Sequence, residues 1–180
     1  DHHTHEEVPQ SPRAILKRQV ARARAMGFEP MMATELEFYL FENSYESLRD
    51  NNFTGLKPIS AYNEDYHIFQ TTKEEDVMRA LRNGLQGACI PVENSKGEAS
   101  AGQEEINVRY DAALPMADTH VFLKHACKEI ALGLGQSLTF MAKPNYAWAG
   151  SSSHIHQSLW SADGKQPLFF DKGGDHGMSD

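Results

Sequence analysis

Cysteine is scarce: two in 180 residues, Cys89 and Cys127. They lie far apart among apolar neighbours. Two buried free thiols in a reducing, cytoplasmic compartment are expected, not a disulfide framework or a zinc site. No apolar run approaches the ~18–20 residues a membrane helix needs, so no membrane partner is expected. Basic residues are in deficit, 17 Lys and Arg against 25 Asp and Glu, for a net charge of −8. A polyanion binder needs the opposite balance, so nucleic acid is not an expected partner. An acidic chain can still hold a nucleotide where metal ions neutralise the phosphates. The opening Asp1-His2-His3-Thr4-His5-Glu6-Glu7 is not a signal peptide. There is no internal repeat and no GxxxxGK[ST] or GxGxxG loop, so any ATP is held without those motifs.

With 40% hydrophobic and 23% charged residues the composition is that of a globular domain, long enough to bury a core unaided. Residues 1–12 read as a polar arm, 13–171 as the body and 172–180 as a polar tail. His2, His3 and His5 could chelate a metal, but a terminal His-rich arm is ordinarily solvated. Ser11-Pro12 opens a helix that Gly27 ends. Met31–Phe41 is a strand candidate. Residues 42–66 read as one long polar loop, a kind more often functional than idle. Thr72-Lys73-Glu74-Glu75 reads as a capping box before a helix to about Gln86. A short strand is expected over Cys89–Glu93, a Gly/Ser loop over Asn94–Gly102 and a strand over Glu104–Tyr110. Asp118 would cap a long helix to about Leu134. Ser137–Met141 and Ser153–Trp160 look extended, and Asp163-Gly164 is a hairpin-type turn.

Strand periodicity exposes the chemistry. In Thr34-Glu35-Leu36-Glu37-Phe38, Glu35 and Glu37 share a face because side chains alternate. Two carboxylates on an otherwise apolar strand repel, and burying them unpaired costs several kcal/mol each, so a cation belongs on that face. Gln103, Glu105, Asn107 and Arg109 share one face of the next polar strand. His154 and His156 share a face with Ser152 and Ser158, and the loop before the Gln103–Arg109 strand adds Glu93 and Glu98. If these faces converge they form a cup of four or five carboxylates with one or two imidazoles. That donor set suits Mg²⁺ or Mn²⁺ rather than zinc, and hard ions beside carboxylates suit phosphoryl chemistry.

Each piece alone has an ordinary explanation. A lone Glu-x-Glu is usually a solvated strand face, and Glu93 and Glu98 would ordinarily face solvent. Only their joint occurrence on neighbouring strands makes a site. Lys96 could contact phosphate, though a surface lysine is the commoner case. Tyr62 and Tyr66 could line a substrate mouth, with packing the commoner case. Phe38, Phe41, Phe122 and Phe140 are expected in the core.

Three stretches, in order, resemble the catalytic domain of the glutamine synthetase superfamily. They are Thr34–Phe41 (TELEFYLF), Ile90–Asn107 (IPVENSKGEASAGQEEIN) and Ala149–Leu159 (AGSSSHIHQSL). The resemblance implies an α+β fold with a curved, largely antiparallel sheet backed by helices, incomplete in this chain. It implies ATP and Mg²⁺ or Mn²⁺ as cofactors. Glutamate would be activated as a γ-glutamyl phosphate, and ammonia or an amine would displace phosphate. Glu37, Glu98 and Glu105 match ligands of one metal; Glu35 and His154 match ligands of a second. Glu98, Glu105 and His154 are thereby the catalytic candidates. Glu93, Tyr110, His156 and Ser158 match nucleotide-contacting positions, and Gly150 matches a backbone contact to glutamate. Where glutamine synthetases proper usually have Asn before that glycine, this chain has Ala149. That wording is closer to the branch that includes γ-glutamylpolyamine and other γ-glutamylamide synthetases. The family's N-terminal β-grasp domain and C-terminal Arg-rich part have no counterpart in this chain, and family members assemble as rings of identical subunits. A fragment of this kind is expected to be inactive alone. Two rivals remain: a metal-dependent hydrolase or decarboxylase that dispenses with ATP, and a catalytically silent structural or regulatory protein on the same scaffold.

Overall fold

The computed structural model describes residues 1–180. Helix α1 (Pro12–Ala25) starts where the Ser11 hydroxyl accepts the Ala14 N–H at 3.2 Å, with Pro12 in the first turn where no donor is needed. Strand β1 (Phe28–Phe41) is the spine of an open six-stranded sheet. It pairs antiparallel with β3 (Gln103–Val108), β4 (Asp111–Ala112) and β5 (Ser137–Thr139), and β2 (Val92–Gly97) pairs antiparallel with β3. Strand β6 (Ser153–Ser161) also joins β1. Four helices accompany them: α2 (Tyr45–Asp50), α3 (Ile68–Thr71), α4 (Glu75–Gly87) and α5 (Ala113–Gly133). The chain is thus mixed helix and antiparallel sheet, as the sequence reading expected.

It forms two compact units. The first comprises residues 1–33, 110–119 and 155–180. It buries Ala14, Val20, Ala113 and Met116, and Arg13 grips Asp118 with two hydrogen bonds of 3.0 and 2.9 Å. The second comprises residues 34–109 and 120–154. Along β1, Leu36, Phe38 and Leu40 alternate onto one face and are buried. Buried Val77, Leu81 and Leu85 of α4 recur at the four-residue spacing of one helical stripe, and α5 contributes Leu123, Cys127 and Ala131. On the opposite face Tyr39 and Phe41 pack at a tilt against Trp148, beside buried Leu48.

Several elements depart from the sequence expectation, each for a physical reason. The 42–66 segment is not one loop: Ser44 accepts the Ser47 N–H and starts α2. Strand β2 extends through Gly97, where a loop was expected. Apolar alternation cannot signal Asn94-Ser95-Lys96, because their strand faces carboxylates rather than core. Cys89 adopts φ +62° in the turn leaving α4, so the strand cannot begin there, and its side chain is exposed rather than buried. Cys127 is buried, and burial pushes its thiol up to about 12. The capping box does not form. Thr72 lies in a 3₁₀ turn (Thr72–Glu74), its hydroxyl bonds the Ile68 carbonyl at 2.8 Å, and α4 starts without a side-chain cap. Helix α5 begins at Ala113, so Asp118 lies within it and is drawn to Arg13 instead of capping. Phe122, expected in the core, is exposed on α5.

Candidate active site

Two side chains of opposite strands begin the site. Register places Glu35 opposite Asn107 and Glu37 opposite Glu105, so the polar faces of β1 and β3 are one surface. The loop between β2 and β3 adds Glu98, and His154 comes from the start of β6, where the Glu37 N–H donates to the Ser152 carbonyl at 3.2 Å. Side-chain atoms of Glu37, Glu98 and Glu105 lie within 4.8 Å of one another, and so do those of Glu35, Glu37 and His154. Glu37 is shared by both groups. The five residues line an open cavity of about 450 Å³.

The ligand atoms are held from behind. Glu37 is buried, and its Oε2 accepts the Gln103 amide at 3.1 Å and the Ser152 N–H at 2.9 Å. Its Oε1 lies 3.9 Å from His154 Nε2, which is also 3.9 Å from Glu35 Oε1. Glu105 is buried and accepts the Asn107 amide at 2.6 Å. Burial pushes Glu105 up to about 7; the Asn107 hydrogen bond opposes this and the neighbouring Glu35 charge adds to it. The set of four carboxylates and one imidazole facing one cavity, with Glu37 and Glu105 held by neighbouring donors, fits two hard divalent ions.

Residues not singled out as site members complete it. Gln103 is buried; besides Glu37 it donates to the Gly150 carbonyl at 3.0 Å, and its own oxygen accepts the Ser100 N–H at 3.2 Å. It therefore ties a β1 carboxylate to the segment carrying Gly150. Its position on the polar face of β3 was the available signal. Lys96, expected on the surface, is partly buried between Asp65, at 3.1 Å, and Glu98. Burial lowers its tendency to stay charged, but the two carboxylates outweigh that and hold the ammonium above its usual value. Tyr66, whose commoner reading was packing, is exposed at the cavity mouth with its ring 4.9 Å from the Lys96 ammonium.

The nucleotide candidates lie elsewhere. Glu93 is exposed on β2, outside that cavity lining. Tyr110, His156 and Ser158 belong to the other unit, where Tyr110 stacks on Trp160 at 6.3 Å and the Trp160 indole donates to Ser158 at 3.0 Å. Gly150 is exposed, and Ala149 is fixed by its backbone: its carbonyl accepts the Tyr39 hydroxyl at 2.8 Å and its N–H donates to Ser100 at 2.9 Å.

An antiparallel sheet presenting a cup of four carboxylates and one histidine offers the donor set that a hard divalent ion would take. Residues 9–180 match the family model of the glutamine synthetase catalytic domain, and the chain belongs to that family. It is 46% identical over 170 residues to the γ-glutamylethanolamide synthetase GlnA4 of Streptomyces coelicolor, covering 94% of this chain and 36% of the relative. It is 36% identical to the glutamate–isopropylamine ligase of a Pseudomonas species, covering 88% and 34%. Among solved structures, the apo form of GmaS superposes with a TM-score of 0.84 at 28% identity, over 98% of this chain and 40% of that one. The chain thus spans little more than a third of the length of these curated relatives.

Proposed function

We propose that the complete protein is an ATP-dependent ligase joining the side-chain carboxylate of glutamate to an amine, with an organic amine rather than ammonia as acceptor. The observation that carries this reading is the shared-Glu37 cup, two overlapping triplets of hard donors on one open surface. Glu37, Glu98 and Glu105 would hold one ion; Glu35, Glu37 and His154 would hold the other. When bound, Mg²⁺ or Mn²⁺ supplies the positive charge that clamps phosphate oxygens and offsets charge at the transferring phosphoryl group. The glutamate carboxylate attacks the terminal phosphorus of ATP and ADP departs. The amine nitrogen then attacks the acyl carbon, phosphate leaves, and the nitrogen gives up its proton.

This chain's residues mainly position. Gln103 and the Ser152 N–H hold Glu37, and Asn107 holds Glu105. Gly150 would face glutamate; Glu93, Tyr110, His156 and Ser158 would face the nucleotide. One relative is named for an ethanolamide product and another for an isopropylamine substrate, and these names, together with Ala149, support an organic acceptor over ammonia. A ring of identical subunits completes the reading, and a reducing cytoplasm is its compartment. No helix is long and apolar enough to cross a membrane.

The test is phosphate release from ATP by the complete protein with Mg²⁺ and glutamate, comparing ammonium, ethanolamine, isopropylamine and diamines. Release with an organic amine and not with ammonium is expected. Release with ammonium alone would make the acceptor ammonia, and no release with any acceptor would overturn the ligase reading.

A further inference from the structure

On the face of β3 opposite the cup, a second acidic group is sealed inside the protein. Glu104 from β3, Glu64 from the segment before α3 and Glu74 from the 3₁₀ turn are 0–1% exposed, and one carboxylate oxygen of each lies within 4.8 Å of the others. Glu64 Oε1 is served by the Gly102 N–H at 2.6 Å and the Ser60 hydroxyl. Glu64 Oε2, Glu104 Oε1 and both oxygens of Glu74 meet no hydrogen-bond donor. Glu74 is the telling member. Its side chain comes from a separate element, forgoes capping α4, keeps both oxygens buried and unpartnered, and brings one of them within 4.8 Å of the other two carboxylates.

The nearby cations are engaged elsewhere. Lys96 holds Asp65 and Glu98, Arg82 holds Glu75 and Ser95, and Lys73 donates to Gln70. Buried polar groups without partners are rare in folded proteins and point to something that satisfies them. Three carboxyls packed together in a dry interior are neutralised by protons or by a bound cation, and a single ion can serve all three at once.

We propose that Glu64, Glu74 and Glu104 form a structural site for one hard divalent cation, separate from the cup. The donors are all carboxylate oxygens, which excludes a zinc-type preference. Their burial leaves little room for the several waters Mg²⁺ keeps, so Ca²⁺ or Mn²⁺ fits better. A cavity of about 150 Å³, lined by Thr71, Thr72, Ser95, Arg82 and Lys96, touches the group at Glu104. The ion would pin the 60–74 segment to β3, and that segment carries Asp65 and Tyr66 to the mouth of the cup. The closeness is built in. Gly97, paired with Glu104, has no room for a side chain: a Cβ there would meet Glu64, and Thr71 Cγ2 at 2.7 Å.

The proposal stands apart from the ligase reading and its test does not use activity. In the complete protein carrying Glu37→Gln and Glu105→Gln, which disable the cup, equilibrium dialysis with Ca²⁺ alone and Mn²⁺ alone should retain one ion per chain. Adding Glu74→Gln should weaken that ion at least about 100-fold, beyond the loss typical of removing a group that only orients a ligand. No retained ion, or equal affinity after Glu74→Gln, would overturn the proposal and leave the carboxyls held by protons. Should the triple variant fail to fold, hydrogen exchange on the double variant decides. A chelator should reduce amide protection across residues 60–74, and unchanged protection refutes the site.

Discussion

Replacing Gln103 with leucine separates the cup's supporting framework from its ligands. The side chain is 1% exposed and roughly leucine-sized, so the substitution removes polar partners and little volume. It removes a hydrogen bond to the Glu37 carboxylate, a class worth about 1.5–3 kcal/mol. It also strands the Ser100 N–H, for at least about 1 kcal/mol more. The Gly150 carbonyl loses a donor too. The sum is about 4 kcal/mol of stability, measured by urea unfolding of the complete protein in chelator. Glu37 retains only the Ser152 N–H, so its carboxylate gains freedom to turn from the cavity. Mn²⁺ affinity, read by electron paramagnetic resonance, should fall about 10–100-fold although no proposed ligand has changed. A stability loss below about 1 kcal/mol together with unchanged Mn²⁺ affinity would refute the reasoning.

Glu105→Gln tests the electrostatics of the empty cup. Burial holds the native carboxyl up to about 7 against an ordinary 4.5, so the folded state keeps a proton that the unfolded chain releases. Stability from this group is therefore full below about pH 4.5 and lost as pH rises through 7. The shift corresponds to about 3 kcal/mol, and screening at the open mouth leaves about 2. Metal-free Glu105→Gln should gain that much over wild type at pH 8 and nothing near pH 4.5 in paired unfolding titrations, while amine-dependent phosphate release disappears. Gly97→Ala forces a Cβ against Glu64 and Thr71 and should cost about 2–3 kcal/mol in the same unfolding assay; a neutral result would mean the segment before α3 is loose. Leu81→Ala empties a fully buried site on α4 and should cost about 2–5 kcal/mol without changing Mn²⁺ affinity. Ala149→Asn should lower the KM for glutamate, and an unchanged KM would count against the role assigned to that position.

Much of the cup was legible because strand alternation is a local rule. Glu35 and Glu37 share a face by period two, as do Gln103, Glu105 and Asn107, whatever packs around them. The apolar stripe of α4 and the Ser11-Pro12 start of α1 were equally readable, since helix periodicity and caps depend on neighbours in the chain. Pairing was not legible. That Glu37 faces Glu105, that Glu98 and His154 reach the same point, and that Lys96 lies between two carboxylates all depend on register between distant segments. Polar strands such as Asn94–Gly97 escaped because their partners are charges rather than a core, and hydrophobic patterning carries no signal for that. The buried Glu64–Glu74–Glu104 group shows the same limit. Alternation puts Glu104 on the face of Ile106 and Val108, but only the tertiary fold brings Glu64 and Glu74 to it and encloses all three.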